Sequence, residues 1–156
     1  TVIRSNLLSG LLSLKHLYLQ NNLIEFIDEF SFVSLKNLKE LNLNLNKIKY
    51  LYSNMFDGLI FLDKLQLSSI EIDFMDEYSF NSLKQLSKLY LIDSHLKEIA
   101  PYSFSLLSNL VILNVNYNEI EKLRKNNTYY IFFFFDFKNY IMQFYRITPL
   151  FLYSVD

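Results

Sequence analysis

Apolar positions along the chain repeat with a 24-residue period. Leu14, Leu38, Leu62, Leu86 and Leu110 each open a stretch reading L-x-x-L-x-L/V, continued by Leu17, Leu41, Leu65, Leu89 and Leu113 and then by Leu19, Leu43, Leu67, Leu91 and Val115. A self-similar unit of about 20 to 29 residues marks a solenoid, in which no single unit can cover its own apolar face. With the first leucine as position 1, apolar and polar residues alternate over positions 4 to 7. That alternation predicts a short half-buried strand once per unit, pairing with its neighbours in a parallel sheet at a spacing of about 4.8 Å.

The rest of each unit is equally regular. Position 9 holds Asn22, Asn46 and Asn118, and position 11 holds Ile24, Ile48, Ile72, Leu96 and Ile120. Ile27, Leu51, Met75, Ile99 and Leu123 follow at position 14, Phe32, Phe56, Phe80 and Phe104 at position 19, and Leu35, Leu59, Leu83 and Leu107 at position 22. This pattern closely resembles the leucine-rich repeat family in its 24-residue typical subtype. The resemblance implies an α/β solenoid with short parallel strands on the concave face and mainly irregular or 3-10 segments on the convex face. An array over 1–123 is expected, with a partial repeat at 1–13, in which Ile3, Leu8 and Leu11 take positions 14, 19 and 22, and full repeats starting at 14, 38, 62, 86 and 110. The chain is expected to begin mid-repeat, as an excerpt or an incomplete gene model.

Each recurring residue has a physical task. Buried leucines supply the core at about 1.5 to 3 kcal/mol per side chain. An inward asparagine at the strand exit is expected to satisfy backbone groups of its own turn and a neighbouring one, so that the amides form a ladder. Ile70 and Ser94 interrupt it at position 9, which predicts local irregularity there. The phenylalanines at position 19 are expected to stack as a second spine on the convex side, beginning at Leu8. Position 12 reads Glu25, Lys49, Asp73, Lys97, Glu121; this alternation of sign favours in-register stacking weakly if neighbours meet, although solvated charges are the simpler reading.

Composition narrows the functional classes. The 156 residues are 51% apolar with a net charge of −1, which gives no electrostatic reason to favour nucleic acid or anionic membrane. The chain has no cysteine, which removes disulfides, thiolate metal sites and cysteine nucleophiles. No apolar run approaches the roughly 20 residues of a membrane span, so no direct insertion is expected. His16 and His95 are too isolated for a relay or metal site, and the pairs Asp28-Glu29 and Asp76-Glu77 suit a solvated surface better than catalysis. No catalytic residue, metal or cofactor is expected.

In the resembled family, ligands are most often held by outward residues of the concave strands. Carried onto this sequence, positions 3, 5, 7 and 8 offer Tyr18, Asn42, Lys64, Gln66, Lys88, Tyr90, Ile92, Ile112, Asn114 and Tyr117 as candidate contacts for a protein ligand. Tyr90, Ile92, Ile112 and Tyr117 form the leading patch, facing either a partner or the C-terminal tail; Lys64 and Lys88 form a small basic pair, or else an ordinary solvated stripe. Asn126 heads an N-x-T glycosylation acceptor. After Leu123 the period fails, and 124–156, with Tyr129 to Phe137 reading YYIFFFFDF, is either a divergent C-terminal cap or a read-through tail. The expected function is a protein-binding module from a cell-surface receptor or adhesion protein. An intracellular repeat scaffold and a non-functional gene-model fragment are the alternatives.

Overall fold

A computed structural model describes residues 1–100 and 102–120, together with the backbone strands at Lys122–Leu123 and Ile141–Gln143. Among the described residues there is no helix. The chain winds through five concave strands, β2 (His16–Tyr18), β4 (Glu40–Asn42), β6 (Lys64–Gln66), β8 (Lys88–Tyr90) and β10 (Ile112–Asn114). These pair in parallel, with every residue facing the one 24 positions away, so Leu17, Leu41, Leu65, Leu89 and Leu113 form one interior column. β12 (Ile141–Gln143) adds antiparallel to β10 and completes the order β12-β10-β8-β6-β4-β2.

The strands occupy positions 3 to 5 rather than 4 to 7. Their ladder nevertheless runs on through the Leu19 N–H to the Asn42 carbonyl (2.8 Å) and the Asn21 N–H to the Asn44 carbonyl (2.9 Å). It ends in a feature the periodicity does not display. Asn21, Leu45, Ser69, Asp93 and Tyr117, all at position 8, adopt φ between 52° and 57°. This left-handed step, unfavourable for a side chain by about 1–2 kcal/mol, turns the chain out of the sheet.

A second set of two-residue strands lies on the flank after that turn: β1 (Val2–Ile3), β3 (Phe26–Ile27), β5 (Tyr50–Leu51), β7 (Phe74–Met75), β9 (Glu98–Ile99) and β11 (Lys122–Leu123). They pair in parallel as β1-β3, β5-β7 and β9-β11. The convex side is a series of turns with i to i+3 bonds, such as Leu35 N–H to the Phe32 carbonyl (2.9 Å) and Leu83 N–H to the Phe80 carbonyl (3.0 Å). Phe32, Phe56, Phe80 and Phe104 stack along it with ring centroids 6.4, 5.8 and 5.8 Å apart. Ser31, Ser79 and Ser103, one residue before the ring, are buried and bond the carbonyls of Asp28, Asp76 and Ala100. At Gly58, with φ +94°, a Cβ would lie 2.4 Å from the Val33 Cα of the preceding turn, so the two turns approach as closely as only glycine permits.

The core follows the repeat columns and is driest in the middle. Leu38, Leu41, Leu43, Leu62, Leu65, Leu67, Leu86, Leu89 and Leu91 are fully buried, whereas Leu14, Leu17 and Leu19 of the first turn are only partly covered. A unit is closed only by having a neighbour on each side.

The asparagine ladder is present but uneven. The Asn46 amide donates to the carbonyls of Leu19 and Leu43 (both 2.9 Å) and accepts from the Ile24 N–H (3.0 Å), tying two turns together. Asn118 donates to Leu91 and Val115 and accepts from Ser94 and Leu96. Ser94 donates to the Leu67 carbonyl (2.9 Å), doing part of the amide's work. Ile70 is buried and contributes no polar group; at the next rung, where Ser94 stands in place of an amide, the Ile72 N–H bonds to the Ser94 carbonyl (3.0 Å). The expected irregularity lies in that bond and in His95, whose φ of 53° is matched at no other described position 10; strand register is untouched. The charge row closes at Lys49–Asp73 (3.4 Å), while Glu25–Lys49 and Asp73–Lys97 form no ion pair among the described residues, so the alternation helps stacking at one of the three described rungs; Glu121 lies outside the described residues.

Candidate binding face

The concave sheet brings Tyr18, Asn42, Lys64, Gln66, Lys88, Tyr90, Ile112 and Asn114 onto adjacent strands, with Ile92 just beyond β8. Tyr117 sits apart from them. It occupies the left-handed turn at the strand exit and is 72% exposed, which makes it a rim residue rather than a strand residue. Tyr90, Ile92 and Ile112 are half-buried. Asn126 lies outside the described residues.

The electrostatic centre of this face is Glu40, which sequence reasoning left out of the candidate contacts. Its carboxylate accepts from the Lys64 ammonium (2.9 Å) and the Tyr18 hydroxyl (3.3 Å), and His16 stands 3.7 Å away. The Lys64 hydrogen bond is the main reason the carboxyl is held below the ordinary glutamate range, outweighing the opposing effect of burial. Desolvation, followed by the nearby Glu40 charge, holds the Tyr18 hydroxyl above the usual phenol range. Lys64 also lies 5.8 Å from the Tyr90 ring centroid. Lys64 and Lys88 are therefore not a free basic pair. They are neighbours in register, but one of them is neutralised by Glu40. The signal available in the sequence was position 3 itself, where Glu40 falls between His16 and Lys64.

Several amides on this face are occupied by the fold. The side-chain Oδ1 atoms of Asn42 and Asn114 accept the N–H of Asn44 (3.0 Å) and Asn116 (3.1 Å), bracing the strand exits. At position 7, Asn44 accepts from Ser68 N–H (2.7 Å) and Ser68 from Ile92 N–H (3.1 Å). The Asn116 Oδ1 stands in the equivalent place, buried and with no partner among the described residues. Away from the concave side, a flank cleft of about 440 Å³ is lined by Glu71, Asp73, His95, Lys97 and Glu119 over Leu96. Among the described residues no group of acidic or histidine side chains has the arrangement of a metal site, and no helix is long and apolar enough to cross a membrane.

The repeat geometry has a sequence counterpart. The leucine rich repeat family model matches residues 12–69 and 60–120, more than half of the chain. The chain belongs to the leucine-rich-repeat family. Among curated proteins no sequence matches it. Among solved structures, this leucine-rich-repeat chain is similar to one described as the crystal structure of the TLR13-ssRNA13 complex, with 29% identity and a TM-score of 0.73 over 82% of this chain. It is also similar in fold to the Toll–Spatzle complex, described as a molecular hub in Drosophila development and innate immunity, with 23% identity and a TM-score of 0.73 over 80% of this chain. The chain spans 18% of the length of each of these two structures.

Proposed function

We propose that this segment is a protein-binding module of a cell-surface receptor or adhesion protein, and that its ligand lies against the concave sheet. The observation that carries this reading is the cluster of Tyr18, Glu40, Lys64 and Tyr90, whose ring, hydroxyl and charges are held in place by one another across four consecutive strands. Side chains fixed before binding lose little entropy on binding, and aromatic anchors beside a satisfied ion pair suit a protein partner. The half-buried Ile92 and Ile112 extend the apolar part of that surface. The similarity to a structure solved with a bound ligand supports a recognition role rather than an enzymatic one.

The TLR13 structure carries single-stranded RNA, which makes nucleic acid the natural control. Here Lys64 is neutralised by Glu40, which leaves the concave face little positive charge for a phosphate backbone. Selection of a displayed library of secreted and ectodomain proteins on the immobilised chain tests the reading. Binders are expected to lose at least tenfold in affinity on Tyr90→Ser or Lys64→Glu and to be unaffected by substitutions on the convex turns. Binders indifferent to both concave variants, or tight capture of single-stranded RNA at physiological salt, would overturn it.

A further inference from the structure

The flank after the strand-exit turn carries two exposed rows that the concave face does not use. Phe26, Tyr50 and Phe74 occupy position 13 on β3, β5 and β7 and are 44%, 53% and 55% exposed, an aromatic residue at the same place on three adjacent turns. Directly beside it runs the exposed row Glu25, Lys49, Asp73, Lys97. Position 14 supplies the buried residue of each flank strand, and between turns the two rows add the Lys49–Asp73 pair and the stacking of Phe26 on Tyr52.

From these two rows we infer that the flank is a self-association surface, and that its occupant is a second copy of this chain related by a two-fold axis crossing the flank between the turns of Tyr50 and Phe74. The charge order selects this arrangement. Four charges reading minus, plus, minus, plus along the solenoid become plus, minus, plus, minus when the copy runs antiparallel. Glu25 then faces the partner's Lys97, and Lys49 faces the partner's Asp73, with the same contacts repeated by symmetry. A parallel arrangement with the rows aligned would set like charges against each other. In the antiparallel register Tyr50 lies against the partner's Phe74, which removes the two most exposed rings of the row from water. The internal Lys49–Asp73 pair becomes one half of a four-charge cluster straddling the axis. Three rings and four charges make a patch smaller than the roughly 800 Å² per partner of a standard interface, so the association is weak, with a dissociation constant on the order of 100 µM.

Sedimentation equilibrium on the full chain tests this with reciprocal charge reversals. Lys49→Glu and Asp73→Lys each create like-charge contacts on both sides of the axis, and each is expected to weaken self-association about tenfold. Mixed together, the two variants restore opposite charges in the mixed dimer, because Glu at 49 of one meets Lys at 73 of the other. The mixture should therefore associate as the unaltered chain does. An internal effect of the Lys49–Asp73 pair could not be rescued in trans. A Tyr50→Ser/Phe74→Ser chain should be monomeric with an unchanged melting transition. The inference fails if the unaltered chain stays monomeric at concentrations several times the expected constant, or if association persists through both reversals, or if mixing restores nothing.

Discussion

The rung at Asn46 and the rung at Ile70 occupy the same place in consecutive turns and are held in opposite ways. Asn46 makes two bonds that reach into the turn before it and one within its own, whereas Ile70 fills the same space with hydrocarbon and leaves the Leu67 carbonyl to the hydroxyl of Ser94 in the next turn. Register is nonetheless the same on both sides, Leu41 on Leu65 and Leu65 on Leu89. The lesson is that the ladder is a local means of satisfying polar groups, and the leucine columns are what align the turns. In a nearest-neighbour solenoid one missing rung is absorbed by the adjoining turns.

The largest blow to this comparison would be Asn46→Ala. It leaves the Ile24 N–H and the Leu19 and Leu43 carbonyls without that partner in a buried setting and should destabilise by about 3 kcal/mol in urea unfolding. A loss below about 1 kcal/mol would mean the amide is as dispensable as its absence at Ile70 implies. Ser94→Ala removes one inter-turn bond to Leu67 and one to Ile92 within its own turn, and about 1 kcal/mol should be lost by the same measurement. Ile70→Asn sharpens the contrast from the other side. New amide bonds are offset by the loss of about 2–3 kcal/mol of apolar burial, so stability should stay within about 1 kcal/mol of the parent.

The smallest effect belongs to the surface. The folded chain lowers the pKa of Glu40, so its contribution is present above the ordinary glutamate value of 4.5 and disappears as pH falls through the lowered folded value. Glu40→Gln should flatten that part of the stability–pH profile by a few tenths of a kcal/mol, since the pair is partly solvated. A melt series from pH 6 down to pH 2 reads the difference.

Glu40 also shows where reading the sequence runs short. The period names position 3 as outward, yet nothing in the linear order says that His16, Tyr18 and Lys64 converge on one carboxylate, because the convergence depends on rotamers reaching across strands. The left-handed turn at position 8 was partly legible, in Asn21 and Asp93, which tolerate that conformation, and was masked by Leu45, Ser69 and Tyr117, which adopt it under tertiary constraint. Gly58 is similar. Gly10 sits at the same position in its unit with nothing within 4 Å of a built Cβ, so only packing distinguishes an obligatory glycine from an incidental one.

By itself the sequence determined the solenoid, its parallel register, the inward leucine columns and the phenylalanine spine, because each is a consequence of a side-chain pattern repeated every 24 residues. The tertiary structure alone decided which polar groups meet: the bonding of Ser94 in place of an amide, the neutralisation of Lys64, and the placement of Tyr117 on the rim. Periodic burial is summed over many residues and survives local exceptions. A hydrogen bond or ion pair depends on a few tenths of an ångström between two atoms, and that distance is set only when the turns have stacked.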